Sequence, residues 1–242
     1  MDERSDILLL TASINPAASK TPLTFVLDPQ QRLSEYLQNL EKIIETRVFK
    51  KIIFCENTHF EYDYSHIISH AKNNNIILEA LVFKGNYEKV EQQGKGYGEG
   101  EIIKYAIANS KLLDPDSVFY KLTGRIFVKN INSIVKHNKQ KEIIFIRAAR
   151  KKRIIDARFF KTSVRFFKQN LIDEFEKVDD YKKKYLEMVY FEKLHDQKGV
   201  FAFNEFPYFI GTSGSTGKKY DQSAYEYFKY SLLLKFGLLG VN

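Results

Sequence analysis

Cysteine is nearly missing: Cys55 is the one thiol in 242 residues. A lone thiol excludes a disulfide framework within the chain and points to a reducing cytoplasm. No apolar run reaches the ~18–20 residues that a membrane span requires. The first residues, MDERSD, are charged and lack the apolar stretch of a secretion signal. Neither a repeat nor a low-complexity linker interrupts the chain. One domain over 1–242 is expected, with a functional division between 1–130 and 131–242. A Gly-Lys-Ser/Thr phosphate loop is missing, as is a Gly-x-Ser-x-Gly nucleophile elbow. The five histidines, His59, His66, His70, His137 and His195, do not combine with Cys55 at metal-ligand spacing.

Acid is scarce where base is dense. The chain carries 38 Lys plus Arg against 30 acids, a net charge of +8. Between Arg147 and Lys168, nine basic residues face one acid, Asp156. Such a block suits nucleic acid, an anionic membrane surface or a phosphorylated substrate, or it is a solvated face. Tyr and Phe are abundant, which suits a globule.

Apolar periodicity then orders the chain. "DILLLTASI", "KKIIFCENT", "IILEALVF" and "SVFYKLTGRIFV" predict four strands, each apolar and ending in polar residues. "DPQQRLSEYLQNLEKIIETRVF" predicts a helix that Asp28 caps and Pro29 opens, with Leu33, Tyr36, Leu37, Leu40 and Ile44 on one face. "YSHIISHAKNNN" and "NINSIVKHN" predict short helices, and a further helix runs from about Gly98 to Lys111. Beyond it, "EIIFIRA" and "RIIDARFF" predict strands. "SVRFFKQNLIDEFEKV", "DDYKKKYLEMVYFEKLHD" and "QSAYEYFKYSLLLKF" predict helices. Strands alternating with helices predict an α/β, Rossmann-like fold with a mostly parallel sheet and a more helical second half. Ligands bind such sheets at the carboxyl ends of the strands. Those ends are Thr11-Ala12-Ser13, Glu56-Asn57-Thr58 and Lys121-Leu122-Thr123-Gly124-Arg125.

Gly94, Gly96, Gly98 and Gly100 lead into a helix. Glycines let backbone approach a ligand, and a helix N-terminus offers N–H groups to an anion. Glu99 and Glu101 either complement the helix dipole or grip a sugar hydroxyl or a cation such as Arg125.

"GKGYGEGEIIKYAI" followed by "FYKLTGRIFVKN" resembles the nucleotide-binding half of a GT-A glycosyltransferase. More narrowly, it resembles bacterial transferases that build capsule, lipopolysaccharide and other surface glycans. The resemblance covers about Ile7 to Asn130; "YLEMVYFEKL" and "PYFIGTSGSTG" extend it loosely. It implies a nucleotide-sugar donor and a glycan or lipid-linked glycan acceptor. Thr11 and Ser13 would face the nucleobase, and Glu56 with Asn57 the base or ribose. Gly96, Gly98, Glu99 and Thr123 would complete the donor site.

The family usually carries Asp-x-Asp after the fourth strand to hold a divalent metal. Here Lys121-Leu122-Thr123-Gly124-Arg125 stands instead, and Asp114 and Asp116 fall at the strand's opposite end. No divalent metal cofactor is therefore expected. Lys121 or Arg125 would take up the diphosphate charge, with Gly124 turning the backbone close to it. Alternatively, Arg125 bridges Glu99 or Glu101.

An inverting reaction needs a carboxylate to deprotonate the acceptor. Glu187, with apolar neighbours, is the first candidate, unless it pairs with Lys183 or Lys184. Asp156 is the second, or else it binds acceptor with Arg153 and Arg158. Ser213, Thr216 and Lys218, in "GTSGSTGKKY", form either a lid over the diphosphate or a plain connector. The basic block and the last helix imply peripheral contact with an anionic membrane at the inner face, although that helix equally suits a core or dimer element. A nucleic-acid-binding module using Phe159, Phe160, Phe166 and Phe167 is the competing reading. It lacks a binding motif, so no nucleic-acid partner is expected. A different nucleotide-dependent transferase on a related scaffold is the third.

Overall fold

Six consecutive residues of the first strand, β1 (Ile7–Ala12), are all buried. A strand buried on both faces must be covered twice, and its alternate side chains enter two cores. Leu8 and Leu10 join one cluster, and Ile7 and Leu9 the other. The computed structural model describes residues 7–18, 20, 24–212, 217, 219–221 and 223–241.

β1 is central to a five-stranded sheet. Its neighbours are β2 (Lys51–Glu56) and β4 (Val118–Thr123), both parallel to it. β3 (Ile77–Val82) extends the sheet beside β2. β6 (Phe159–Ser163) closes the other edge antiparallel to β4, giving the order β3-β2-β1-β4-β6. The chain therefore steps outward from β1 to β3 and then jumps back across β1 to β4. The crevice above β1 and β4 is the topological switch point of an open α/β sheet, where such folds bind ligands.

Helices cover both faces. α1 (Pro29–Thr46) starts where Asp28 accepts a hydrogen bond from the Gln30 N–H, and Pro29 occupies the first turn. Its Leu33, Tyr36, Leu40, Ile43 and Ile44 pack on the Leu8 side of the sheet, with Ile67 and Ala71 of α2 (Ser65–Asn73). α5 (Ile131–His137) lies on the same side, as does α8 (Ala224–Lys235) through Leu234. Opposite are α4 (Lys95–Asn109), α6 (Val164–Asn170) and α7 (Leu186–Leu194). Val90 of the short α3 (Tyr87–Gln93) joins them. Cys55 is buried within this second cluster.

The expected fourth strand is two strands. After Thr123 the chain turns at Gly124-Arg125 and enters β5 (Ile126–Val128), which pairs with β7 (Phe209–Thr212) in a small antiparallel sheet with β8 (Lys219–Asp221). A Cβ at Gly124 would stand 2.8 Å from the Thr11 carbonyl oxygen and 2.9 Å from the Tyr36 ring, so no larger residue fits the turn. Asn39 of α1 secures it by donating to the carbonyls of Gly124, at 2.7 Å, and Ile126, at 2.8 Å.

The second half is less regular than its periodicity predicts. "EIIFIRA" forms no strand; it makes isolated bridges such as Ile144–Lys161 and Arg147–Ile155. "RIIDARFF" becomes a strand only at Phe159. The long helix expected from Ser163 ends at Asn170 and is followed by a 3-10 turn, Glu174–Lys177. Likewise, Asp180–Lys182 is a 3-10 turn ahead of α7. Phe159, Phe160 and Phe167 are 0%, 0% and 1% exposed and Phe166 is partly buried, so they are core and present no stacking surface to bases. No helix among the described residues is long and apolar enough to cross a membrane.

Candidate active site

The helix expected from about Gly98 is present and starts three residues earlier, at Lys95. Gly96, Gly98 and Gly100 lie inside α4, and Gly94 caps it. Helical glycine costs about 1 kcal/mol against alanine, so packing must repay it here. A Cβ on Gly100 would lie 2.1 Å from the Cβ of Phe175, and one on Gly96 3.1 Å from Val178. The glycines thus let the 3-10 turn around Phe175 sit against α4. The helix N-terminus is also occupied: Asp180, 4% exposed, accepts the Gly96 N–H at 3.3 Å. The backbone here meets a protein carboxylate, and not an open anion site.

Above the switch point lies a cleft with two lobes. The first, of about 190 Å³, is lined by Thr11, Ser13, Asn57, Gly98, Glu99, Thr123, Arg125, Arg158 and Glu187 from the expected set. Arg32, Tyr36 and Lys95 line it too and were not among the expected site residues. The second lobe, about 530 Å³, is lined by Gly96, Glu99, Asp156, Arg158 and Glu187, joined by Lys95, Asp180 and Tyr185. Lys95, Glu99, Arg158 and Glu187 line both lobes and so form their shared wall.

Four cationic side chains line the first lobe. Arg32 comes from the N-terminal turn of α1 and is 5% exposed. It donates to the carbonyls of Ser13 (2.7 Å) and Val26 (3.2 Å) and to the Tyr36 hydroxyl (3.2 Å). Burial pulls its pKa down, while the adjacent Tyr36 opposes that. Arg125 pairs with Glu35 at 2.6 Å, and not with Glu99 or Glu101. Its guanidinium lies 5.9 Å from the Tyr36 ring centre. Arg158 grips Asp156 with two nitrogens, at 2.8 and 2.6 Å, and lies 4.0 Å over the Phe209 ring. Lys95 is the fourth.

Lys121 is behind the wall and lines neither lobe. Its side chain is fully buried and donates to Glu99, to the Thr123 hydroxyl at 3.1 Å and to the Ala157 carbonyl at 2.8 Å. Three acceptors use up the ammonium's three protons. It therefore does not meet a diphosphate as expected; it holds Glu99 in place. Glu56 is likewise withdrawn. Its carboxylate, 0% exposed, accepts from the N–H groups of Ile14, Thr58 and Phe60 and from the Thr58 hydroxyl. It shapes the loop after β2 and leaves the neighbouring Asn57 to face the cleft. Gly124 lies beneath the floor, and the exposed Arg153 sits 5.8 Å from the Phe191 ring centre outside both linings. Ser213, Thr216 and Lys218 fall outside the described residues.

Glu187, in the first turn of α7, opens to the cleft while its carboxylate sits deep among protein atoms. Burial pushes its pKa up to about 7, and Glu99 and Asp156 add to the rise; its own backbone N–H and Lys95 oppose it. A carboxylate titrating there is matched to proton transfer at neutral pH. Neither Lys183 nor Lys184 forms an ion pair with it. Among the described residues, no three His, Cys, Asp or Glu side chains are placed to hold a metal ion.

No family model matches this chain, and no curated protein matches it significantly. Among solved structures, it is similar to a Bacillus anthracis protein described as a glucose-1-phosphate thymidylyltransferase, crystallised with sucrose. The identity is 10%, the likeness covers 86% of this chain and 89% of that one, and the TM-score is 0.48. A likeness at that level decides nothing about activity.

Proposed function

We propose that this chain is a nucleotide-sugar-dependent glycosyltransferase acting on a surface-glycan acceptor of the capsule or lipopolysaccharide kind, with inversion. The observation that carries this reading is the position of Glu187. It stands in the wall between a cationic lobe at the switch point and a second lobe able to admit an acceptor. The donor's diphosphate lies in the first lobe against Arg125, Arg32, Arg158 and Lys95. Its base lies towards Thr11, Ser13 and Asn57. Glu187 takes the proton of an acceptor hydroxyl whose oxygen bonds to the anomeric carbon. The bond from that carbon to the diphosphate oxygen breaks, and the guanidinium groups take up the charge that develops on the leaving nucleotide. On this reading no divalent ion is needed, and activity survives excess EDTA. The surface-glycan acceptor rests on the resemblance of "GKGYGEGEIIKYAI" and "FYKLTGRIFVKN". The exposed cations Arg150–Arg153 and the exposed Tyr225, Phe228 and Phe236 of the C-terminal segment support peripheral contact with an anionic membrane from the cytoplasmic side.

Thermal unfolding measured with UDP-, GDP-, CMP- and dTDP-sugars, with and without EDTA, tests the proposal. One donor should raise the midpoint in both conditions, and hydrolysis or transfer of that sugar should follow. No shift with any donor, together with salt-sensitive RNA binding, would overturn it. A stabilising nucleoside triphosphate with release of pyrophosphate would instead mark another nucleotide-dependent transferase.

A further inference from the structure

The two lobes differ in charge as well as size. The larger one is lined by four carboxylates, Glu99, Asp156, Asp180 and Glu187, and by two cations, Lys95 and Arg158. Most of these are committed. Arg158 is held bidentately by Asp156, Glu99 by the ammonium of Lys121, and Asp180 accepts from Gly96. The charged form of the Glu187 carboxylate is favoured by its own backbone N–H and by the nearby Lys95. Glu187 lines both lobes and can accept a hydrogen bond from a ligand hydroxyl.

The remaining wall is aromatic and aliphatic. Tyr185, just before α7, is 38% exposed and lines the lobe beside Ile154 and Leu186. Half-exposed aromatic rings suit ligands with one apolar face and several hydroxyls, since the C–H face packs on the ring while the hydroxyls reach acceptors. Four carboxylates against the two lining cations Lys95 and Arg158 leave the lobe acidic on balance, so an anion is less favoured here than a neutral or cationic group. The exposed Arg153, which could have attracted a charged acceptor, does not line the lobe.

We propose that the larger lobe is a saccharide subsite that stacks the acceptor's terminal ring on Tyr185 and selects a neutral or amine-bearing sugar over a carboxylated or phosphorylated one. The proposal rests on the reading of the cleft as a transferase site and names its acceptor class. The acceptor hydroxyl donates to Glu187, and the preference over anions comes from the carboxylates around it.

Saturation-transfer NMR titration of the full chain with four probes tests this: methyl glucoside, methyl glucosaminide, methyl glucuronide and glucose 6-phosphate. Each is titrated with excess pyrophosphate present to fill the cationic lobe. The neutral and amino glycosides should bind at least fivefold more tightly than the two anions. Tyr185→Ala should weaken the neutral probe at least fivefold and leave pyrophosphate affinity unchanged, whereas Tyr185→Phe should keep both. Tighter binding of either anion overturns the proposal, as does the absence of any signal dependent on Tyr185. If pyrophosphate and nucleoside diphosphates themselves fail to bind the wild-type chain, the transferase reading falls first.

Discussion

Lys121 in β4 and Glu99 in α4 form an ion pair behind the cleft wall, with the ammonium completely enclosed. The pair ties the sheet to the helix across 22 residues of chain. Removing Glu99 strands the enclosed ammonium, which costs more than the intact pair contributes, whereas Glu99 itself is 27% exposed at the cleft. Glu99→Leu should lower unfolding free energy by about 3 kcal/mol in a urea titration. Adding Lys121→Met should recover part of the loss, because the unpaired ammonium is gone.

Glu187 carries a signature in pH. Its folded pKa of about 7 lies above the ordinary 4.5. Below pH 4.5 it is protonated in both states and exerts no linkage. Between pH 4.5 and 7 the unfolded chain ionises first and binds fewer protons, so stability falls as pH rises. Glu187→Gln should remove that fall and leave the protein more stable above pH 7, by up to ~3 kcal/mol. Turnover in the wild type should rise with pH through an apparent pKa near 7, and the Gln variant should lose turnover by ~10²-fold or more while still binding donor. Equal turnover in the two proteins would exclude Glu187 as the base.

Arg125 presents a planar fork to the first lobe while Glu35 holds it. Lysine keeps the charge but not the fork. Arg125→Lys should weaken nucleoside diphosphate binding about tenfold by calorimetry, with a much smaller change in melting temperature.

Gly100 faces Phe175 with no space for a methyl group. Gly100→Ala should destabilise by about 1–3 kcal/mol despite alanine's higher helix propensity. Gly199 is a contrast: it is open on all sides but has a φ of +83°. Gly199→Ala should cost only about 1 kcal/mol, from backbone conformation alone. Denaturation midpoints of the two variants give the comparison.

The central sheet was legible because its causes are local. The apolar run Ile7–Leu10 and Asp28-Pro29 before a periodic stretch each specify their element within a few residues. The glycine-rich segment was legible as a helix from about Gly98, but not its earlier start at Lys95 nor the reason for its glycines, because the side chains of Phe175 and Val178, some 75 residues on, set both. The strand expected through Lys121-Leu122-Thr123-Gly124-Arg125 broke because Gly124 must pass beneath Tyr36, a contact that no periodicity encodes. For the cleft, the ends of β1 and β4 pointed to Thr11, Ser13, Thr123 and Arg125, and all four line its first lobe. Lys121 and Glu56 were misplaced because alternation along a strand does not say whether a charged side chain meets solvent or a buried partner. Arg32 left one faint trace: it adjoins Leu33 and precedes Tyr36 by one helical turn, so a cation lay within an otherwise apolar stripe.

Cys55 sits in β2 at the middle of the molecule, its sulfur 3.8 Å from the Ile102 carbonyl oxygen. Burial pushes the thiol well above its usual range, so alkylating reagents find neither access nor thiolate while the sheet is closed. The natural chain therefore carries a single built-in label for its own opening. The rate at which iodoacetamide consumes that sulfur, with and without a bound nucleotide, would report how strongly occupancy of the cleft restrains the strands beneath it.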